Sequence, residues 1–139
     1  MTLKLQATPE EVMRAVDALQ DFARARGLGE KDIFALSLAL EECGSNVVNH
    51  ALQRNAGQTF QVILQPTPES FIIELRDPGP AFDPTVAADR EPVAADDDVP
   101  GGWGIHLVRR YMDEIRYARE AGENVLRLTR RFTGNNSTS

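Results

Sequence analysis

Leu3 and Leu5 alternate with polar neighbours at the start of the chain, which predicts a short strand. Thr8-Pro9-Glu10-Glu11 then reads as a helix start, with Thr8 as N-cap, Pro9 in the first turn and Glu11 closing a capping box. Val12, Val16, Leu19 and Phe22 or Ala23 recur at helical spacing until Gly27 ends the helix. A second helix is expected from Glu30 to about Leu52, its core stripe being Ile33, Leu36, Leu40, Cys43 and Val47. Two apolar runs, 60–64 and 71–75, flank Pro66-Thr67-Pro68-Glu69 and predict a hairpin.

From Pro84 to Gly102 the periodicity is lost among prolines, small residues and acids, the pattern of a functional loop or lid. A helix opening at Gly104 resumes with Ile105, Leu107, Val108, Tyr111 and Met112. Residues 115–118 and 125–129 predict a last hairpin around Gly122, and 134–139 a disordered polar tail after a single domain spanning 1–133. The order β-α-α-β-β-lid-α-β-β implies an α+β fold: a two-layer sandwich of a mainly antiparallel mixed sheet with three helices on one face.

Composition narrows the function. The net charge of −6 argues against nucleic acid as the main partner, since phosphate binding wants a basic face. No apolar run reaches the roughly 18 residues of a membrane span, and the first residues lack a signal-peptide core. The lone Cys43 lies in an apolar helical pattern, so no internal disulfide forms; a cytoplasmic location is expected. Much of the acidity is local, at Asp89, Glu91, Asp96, Asp97 and Asp98, which reads as a solvated loop and not as a metal cluster.

Three segments carry candidate chemistry. Glu42, Asn46 and His50 recur every four residues, one stripe of a helix at the border of its buried face. Asp77-Pro78-Gly79-Pro80-Ala81-Phe82-Asp83 follows a strand directly, and Gly101-Gly102-Trp103-Gly104-Ile105 opens a helix. Singly, these are polar flanks of a core stripe, a turn and a helix start; Phe82, Trp103, His50 and His106 read as packing or capping groups. In this order they form a kit for a nucleotide and its metal. Asn46 offers a neutral oxygen to Mg²⁺, and Glu42 can take the proton of an attacking hydroxyl. Asp77 can accept the exocyclic amine of adenine, Gly79 allows close approach to the base, and the amides around Gly102 and Gly104 can hold phosphates.

These segments resemble the ATPase fold shared by gyrase, the heat-shock chaperone of ninety kilodaltons, histidine kinases and the MutL repair proteins. Within that Bergerat-type fold the chain is most similar to the anti-sigma-factor serine/threonine kinases of bacterial partner switching. Residues 38–51 (LALEECGSNVVNHA) resemble their N box, 76–84 (RDPGPAFDP) the G1 box and 102–108 (GWGIHLV) the G2 box; 111–117 resemble the joint that follows. The similarity runs from about residue 5 to 133.

The resemblance implies ATP and Mg²⁺ as cofactors, with Glu42 as catalytic base, Asn46 as metal ligand and Asp77 as adenine reader. The nucleotide set is then Asn46, Asp77, Gly79, Phe82, Gly102, Gly104, Ile105 and His106, with an ATP lid over about 86–101. It also implies a homodimer that phosphorylates a STAS-fold anti-anti-sigma protein and sequesters a sigma factor or another regulator. Two departures stand out: Ala81 replaces a second G1 glycine, and the lid is acidic with Trp103 between the G2 glycines. The rival readings are a histidine-kinase catalytic domain, against which stands the lack of a dimerising helical hairpin bearing a substrate histidine, and a sequestration module, nucleotide-gated but without kinase activity.

Overall fold

The computed structural model describes residues 1–53, 55–88 and 102–132. The acidic segment 89–101 and the polar tail lie outside the described residues, so of the expected lid only 86–88 are seen.

The strands are β1 (Thr2–Gln6), β2 (Thr59–Pro66), β3 (Ser70–Asp77), β4 (Glu114–Glu120) and β5 (Glu123–Arg131). They form one sheet in the order β1-β2-β3-β5-β4, and all four pairings are antiparallel, the limiting case of a mainly antiparallel sheet. The helices are α1 (Pro9–Ala25), α2 (Glu30–Asn46) and α4 (Gly102–Tyr111), with a short α3 (Pro84–Ala88) before the undescribed segment.

Alternation along the strands decides which face is covered. Leu5, Phe60, Val62, Leu64, Phe71, Ile73, Leu75, Leu126 and Leu128 point to one side and join Val12, Leu19, Leu36, Leu40, Ile105 and Val108 of the helices in a single core. The other face carries polar and charged residues such as Gln61, Arg76 and Arg127, with an Arg76–Glu74 ion pair of 2.8 Å. The expected core stripe of α2 is buried throughout.

Local signals are largely realised. Thr8 caps α1, its hydroxyl accepting from the Glu11 amide at 3.2 Å. Glu11 does not reach back to the cap residue; it accepts from the Gln6 amide and pairs with Arg14, so the capping box is only half made. The last hairpin turns through Ala121 and Gly122, both at positive φ (51° and 79°), the two-residue turn that matches strand twist.

Two elements differ from the expectation. The α-helical winding of α2 stops at Asn46, and Val47–Ala51 form a π-helical turn closed by the Leu52 amide on the Val47 carbonyl at 2.8 Å. Such turns interrupt the four-residue repeat and occur often at functional sites. The π turn, not the stripe, therefore places His50. The second difference is α3, where no periodicity was expected. Asp83 caps it, accepting from the Thr85 amide at 2.8 Å, and Pro84 takes its first position.

Candidate functional site

At one end of the helix-covered face the apolar rows of the sheet give way to a polar one. Leu75, Leu126 and Tyr117 are in register across β3, β5 and β4, and the next row is Asp77, Asn124 and Arg119. The C-terminal end of α2 faces this row. Asn46 and Asp77, with Cys43, Val47, Phe82 and Asn124 among its other walls, line a small cavity of about 20 Å³.

Asp77 is 3% exposed and held through one oxygen. Its Oδ1 accepts from the Gly79 amide at 2.8 Å and from Asn124 Nδ2 at 3.0 Å, whereas Oδ2 accepts nothing among the described residues. Burial pushes its carboxyl above the ordinary range, offset in part by those two bonds and by the charge of Arg119. Asn46 is 6% exposed, and its side chain has no hydrogen-bond partner among the described residues. Glu42, one helical turn earlier, is half-buried with its carboxylate likewise unbonded. Its pKa is raised, first by burial and then by the neighbouring charge of Glu41. No buried side-chain polar atom among the described residues lacks a hydrogen-bond partner, so these acceptors are open because solvent reaches them, and a ligand's donors can take the place of water there. Burial pushes the Cys43 thiol up to about 12, which makes it an inert wall.

The loop after Asp77 is fixed at both ends. A Cβ on Gly79 would lie 2.5 Å from the Ala51 carbonyl oxygen, so only glycine lets the loop meet the end of the π turn this closely. From the other side, Arg119 Nη1 donates to the Gly79 carbonyl at 2.6 Å. Asn124 holds the rest: Nδ2 donates to the Pro80 carbonyl at 2.9 Å, and Oδ1 accepts from the Phe82 amide at 3.0 Å and from the Tyr117 hydroxyl. Phe82 stacks on His50 with ring centroids 5.5 Å apart.

The structure thus brings Asn46, Asp77 and Phe82 together at one cavity, with Gly79 bonded to Asp77 in the adjoining loop and Glu42 one turn before Asn46. Gly102 and Gly104 lie in the first turn of α4, and His106 is half-buried just beyond. Ile105 is different: its side chain is fully buried in the core, so its backbone amide is all it can offer a nucleotide. Tyr117 lies in the joint of 111–117, and Arg119 and Asn124 lie outside every motif. Asn124 becomes visible only once β5 is set in register with β3.

The chain as a whole is similar to known proteins. The profile of the histidine kinase-like ATPase domain matches residues 5–130. The chain belongs to that family. Among relatives of this ATPase domain, the serine/threonine-protein kinase BtrW of Bordetella bronchiseptica is 32% identical over 130 residues, covering 92% of this chain and 91% of its own. The serine-protein kinase RsbW of Oceanobacillus iheyensis is 26% identical, covering 89% of this chain and 82% of its own.

Solved structures share the ATPase fold at low identity. The SiaB–SiaC complex of Pseudomonas aeruginosa matches with a TM-score of 0.67 at 11% identity, covering 93% of this chain and 88% of the other. The RsbU and RsbW domains of Rv1364c from Mycobacterium tuberculosis match with a TM-score of 0.61 at 19% identity. The match covers 95% of this chain but 32% of that one, so the chain spans about a third of its length. No helix among the described residues is long and apolar enough to cross a membrane.

Proposed function

We infer that this histidine kinase-like ATPase domain is an ATP-dependent serine/threonine protein kinase of the partner-switching type. The observation that carries the reading is the set of open acceptors: the Asn46 amide, the Glu42 carboxylate and Asp77 Oδ2, none bonded within the described protein. Kinship to BtrW and RsbW, both serine kinases by name, gives the reaction class.

Asp77 Oδ2 accepts the exocyclic amine of adenine, and guanine, with a carbonyl there, leaves two acceptors facing each other. Gly79 and Phe82 form the loop beside the base. The first turn of α4, with Gly102, Gly104, the Ile105 amide and His106, serves the phosphates through helix-terminal N–H groups. The described residues contain no cluster of three or more His, Cys, Asp or Glu, so Mg²⁺ would rest on the Asn46 oxygen together with phosphate oxygens and water. When bound it would neutralise phosphate charge. Glu42, a carboxylate made more basic by burial and by the charge of Glu41, takes the proton of the incoming serine or threonine hydroxyl. The remaining task in phosphoryl transfer is positioning.

By the same kinship the phosphorylated partner is a STAS-fold anti-anti-sigma protein, and the sequestered one a sigma factor or another regulator. A homodimer, a cytoplasmic location and a single kinase domain over 1–133 complete the proposal.

Titration with ATP and with GTP, each with and without Mg²⁺, tests the site. Wild-type protein should bind ATP selectively, and Asn46→Ala should lose the magnesium-dependent part of the affinity. Transfer to a STAS-fold protein should then give acid-stable phosphoserine or phosphothreonine. An acid-labile product would point to histidine as the acceptor. Folded wild-type protein that binds neither nucleotide would leave sequestration alone.

A further inference from the structure

The orientation of Asn124 is set by groups that cannot reverse. The Phe82 amide only donates and the Pro80 carbonyl only accepts, so the side-chain oxygen must face Phe82 and the nitrogen must face Pro80. Tyr117 takes the second lone pair of Oδ1, and Asp77 Oδ1 takes the second hydrogen of Nδ2. All four bonding positions of this amide, 4% exposed, are filled. Asn124 is therefore a fixed donor aimed at one oxygen of Asp77.

That donor has a chemical consequence. A carboxylate turns readily about its last torsion, which is broad and two-fold. Two donors on Oδ1, from Gly79 and Asn124, break the equivalence of the oxygens and stop the turn. Oδ2 is left as a bare acceptor at the cavity. Arg119 approaches the same loop but donates to the Gly79 carbonyl, so it does not select between the carboxylate oxygens.

We propose that Asn124 is the positioning residue for base selectivity: by saturating Asp77 Oδ1 it presents Oδ2 to a purine carrying an exocyclic amine. The inference rests on the adenine-nucleotide reading above. It predicts that selectivity for the amine, more than overall affinity, depends on the Asn124 nitrogen.

The test compares ADP with the diphosphate of purine riboside, which lacks the 6-amino group, by calorimetric titration. Wild-type protein should prefer ADP by about 10- to 100-fold. Asn124→Ala should bring the two affinities to within about three-fold of each other, mainly by weakening ADP. Asn124→Asp keeps the shape and the acceptor for Phe82 and Tyr117 but removes the donor, so it should lose selectivity as well; it also serves if the alanine variant does not fold. Retained selectivity in a folded Asn124 variant, or equal weakening of both ligands, overturns the role of Asn124 and leaves the adenine reading intact. Wild-type protein that binds neither ligand, or both alike, overturns the adenine reading and this proposal with it.

Discussion

Asp32, near the start of α2, and Arg130, near the end of β5, form an ion pair of 2.7 Å between residues 98 positions apart. Asp32 is 1% exposed, and the same guanidinium donates to the carbonyl of Tyr111, the last residue of α4, at 2.6 Å. One side chain therefore joins the helix that carries Glu42 and Asn46 to the end of the helix that opens with Gly102. The pair is a structural lock placed away from the cavity.

Arg130→Met should leave Asp32 charged, buried and without this partner. Loss of one member of a buried pair costs about 3–5 kcal/mol, and denaturant unfolding should register a loss of that order. Asp32→Asn in the same chain should recover part of it. A change below about 1 kcal/mol would mean that water or a neighbour replaces the guanidinium.

Asp77→Asn should separate stability from binding. Because burial raises the folded-state pKa of Asp77, between the ordinary aspartate range and the raised value the folded protein keeps a proton that the unfolded chain has released. Stability from this group therefore falls as pH rises from the ordinary aspartate range through the raised value. The nucleotide-free variant should melt higher than wild type at pH 7 while its affinity for ADP drops about 10- to 100-fold. Calorimetry of both proteins with and without ADP checks this, and a lower melting point in the variant would contradict it.

Glu42→Gln should keep ATP binding and lower phosphoryl transfer by about 10²- to 10⁴-fold. The wild-type rate should rise with pH through a limb above the ordinary glutamate range, since burial and Glu41 both raise the Glu42 pKa. Glu41→Gln removes the charge contribution and should move that limb to lower pH. A limb that stays in place in the Glu41 variant would assign it to another group.

Gly79→Ala places a methyl carbon 2.5 Å from the Ala51 carbonyl oxygen, a backbone atom that cannot swing aside. Overpacking of this kind costs about 1–3 kcal/mol, and because the loop must lift, nucleotide affinity should fall as well. Equal affinity in the two proteins would show that the loop is free to move.

Where structure depends on near neighbours in sequence, the pattern of residues was enough. The Thr8 cap, the Ile33-to-Val47 stripe and both hairpins appear where periodicity and turn residues place them. The grouping of Asn46, Asp77, Gly79 and Phe82 followed from motif order. The π turn did not, because no residue among Val47–Ala51 forbids ordinary α-helical winding; tertiary contact at its end accompanies the wider turn. The Asp83-Pro84 start of α3 was visible but too brief to show a period. Asn124 depends on strand register across 47 positions, and Ile105 on which side of α4 meets the sheet. Neither quantity is local.

The contact of Gly79 with Ala51 makes the loop and the helix end a shim of zero thickness. The loop that carries Asp77 and the helix end that carries Asn46 share one reference surface, machined by a missing methyl group. A mutation that thickens it would not erase either half of the site; it would set the two out of true, so that each part could pass inspection alone while the assembled tool no longer cut.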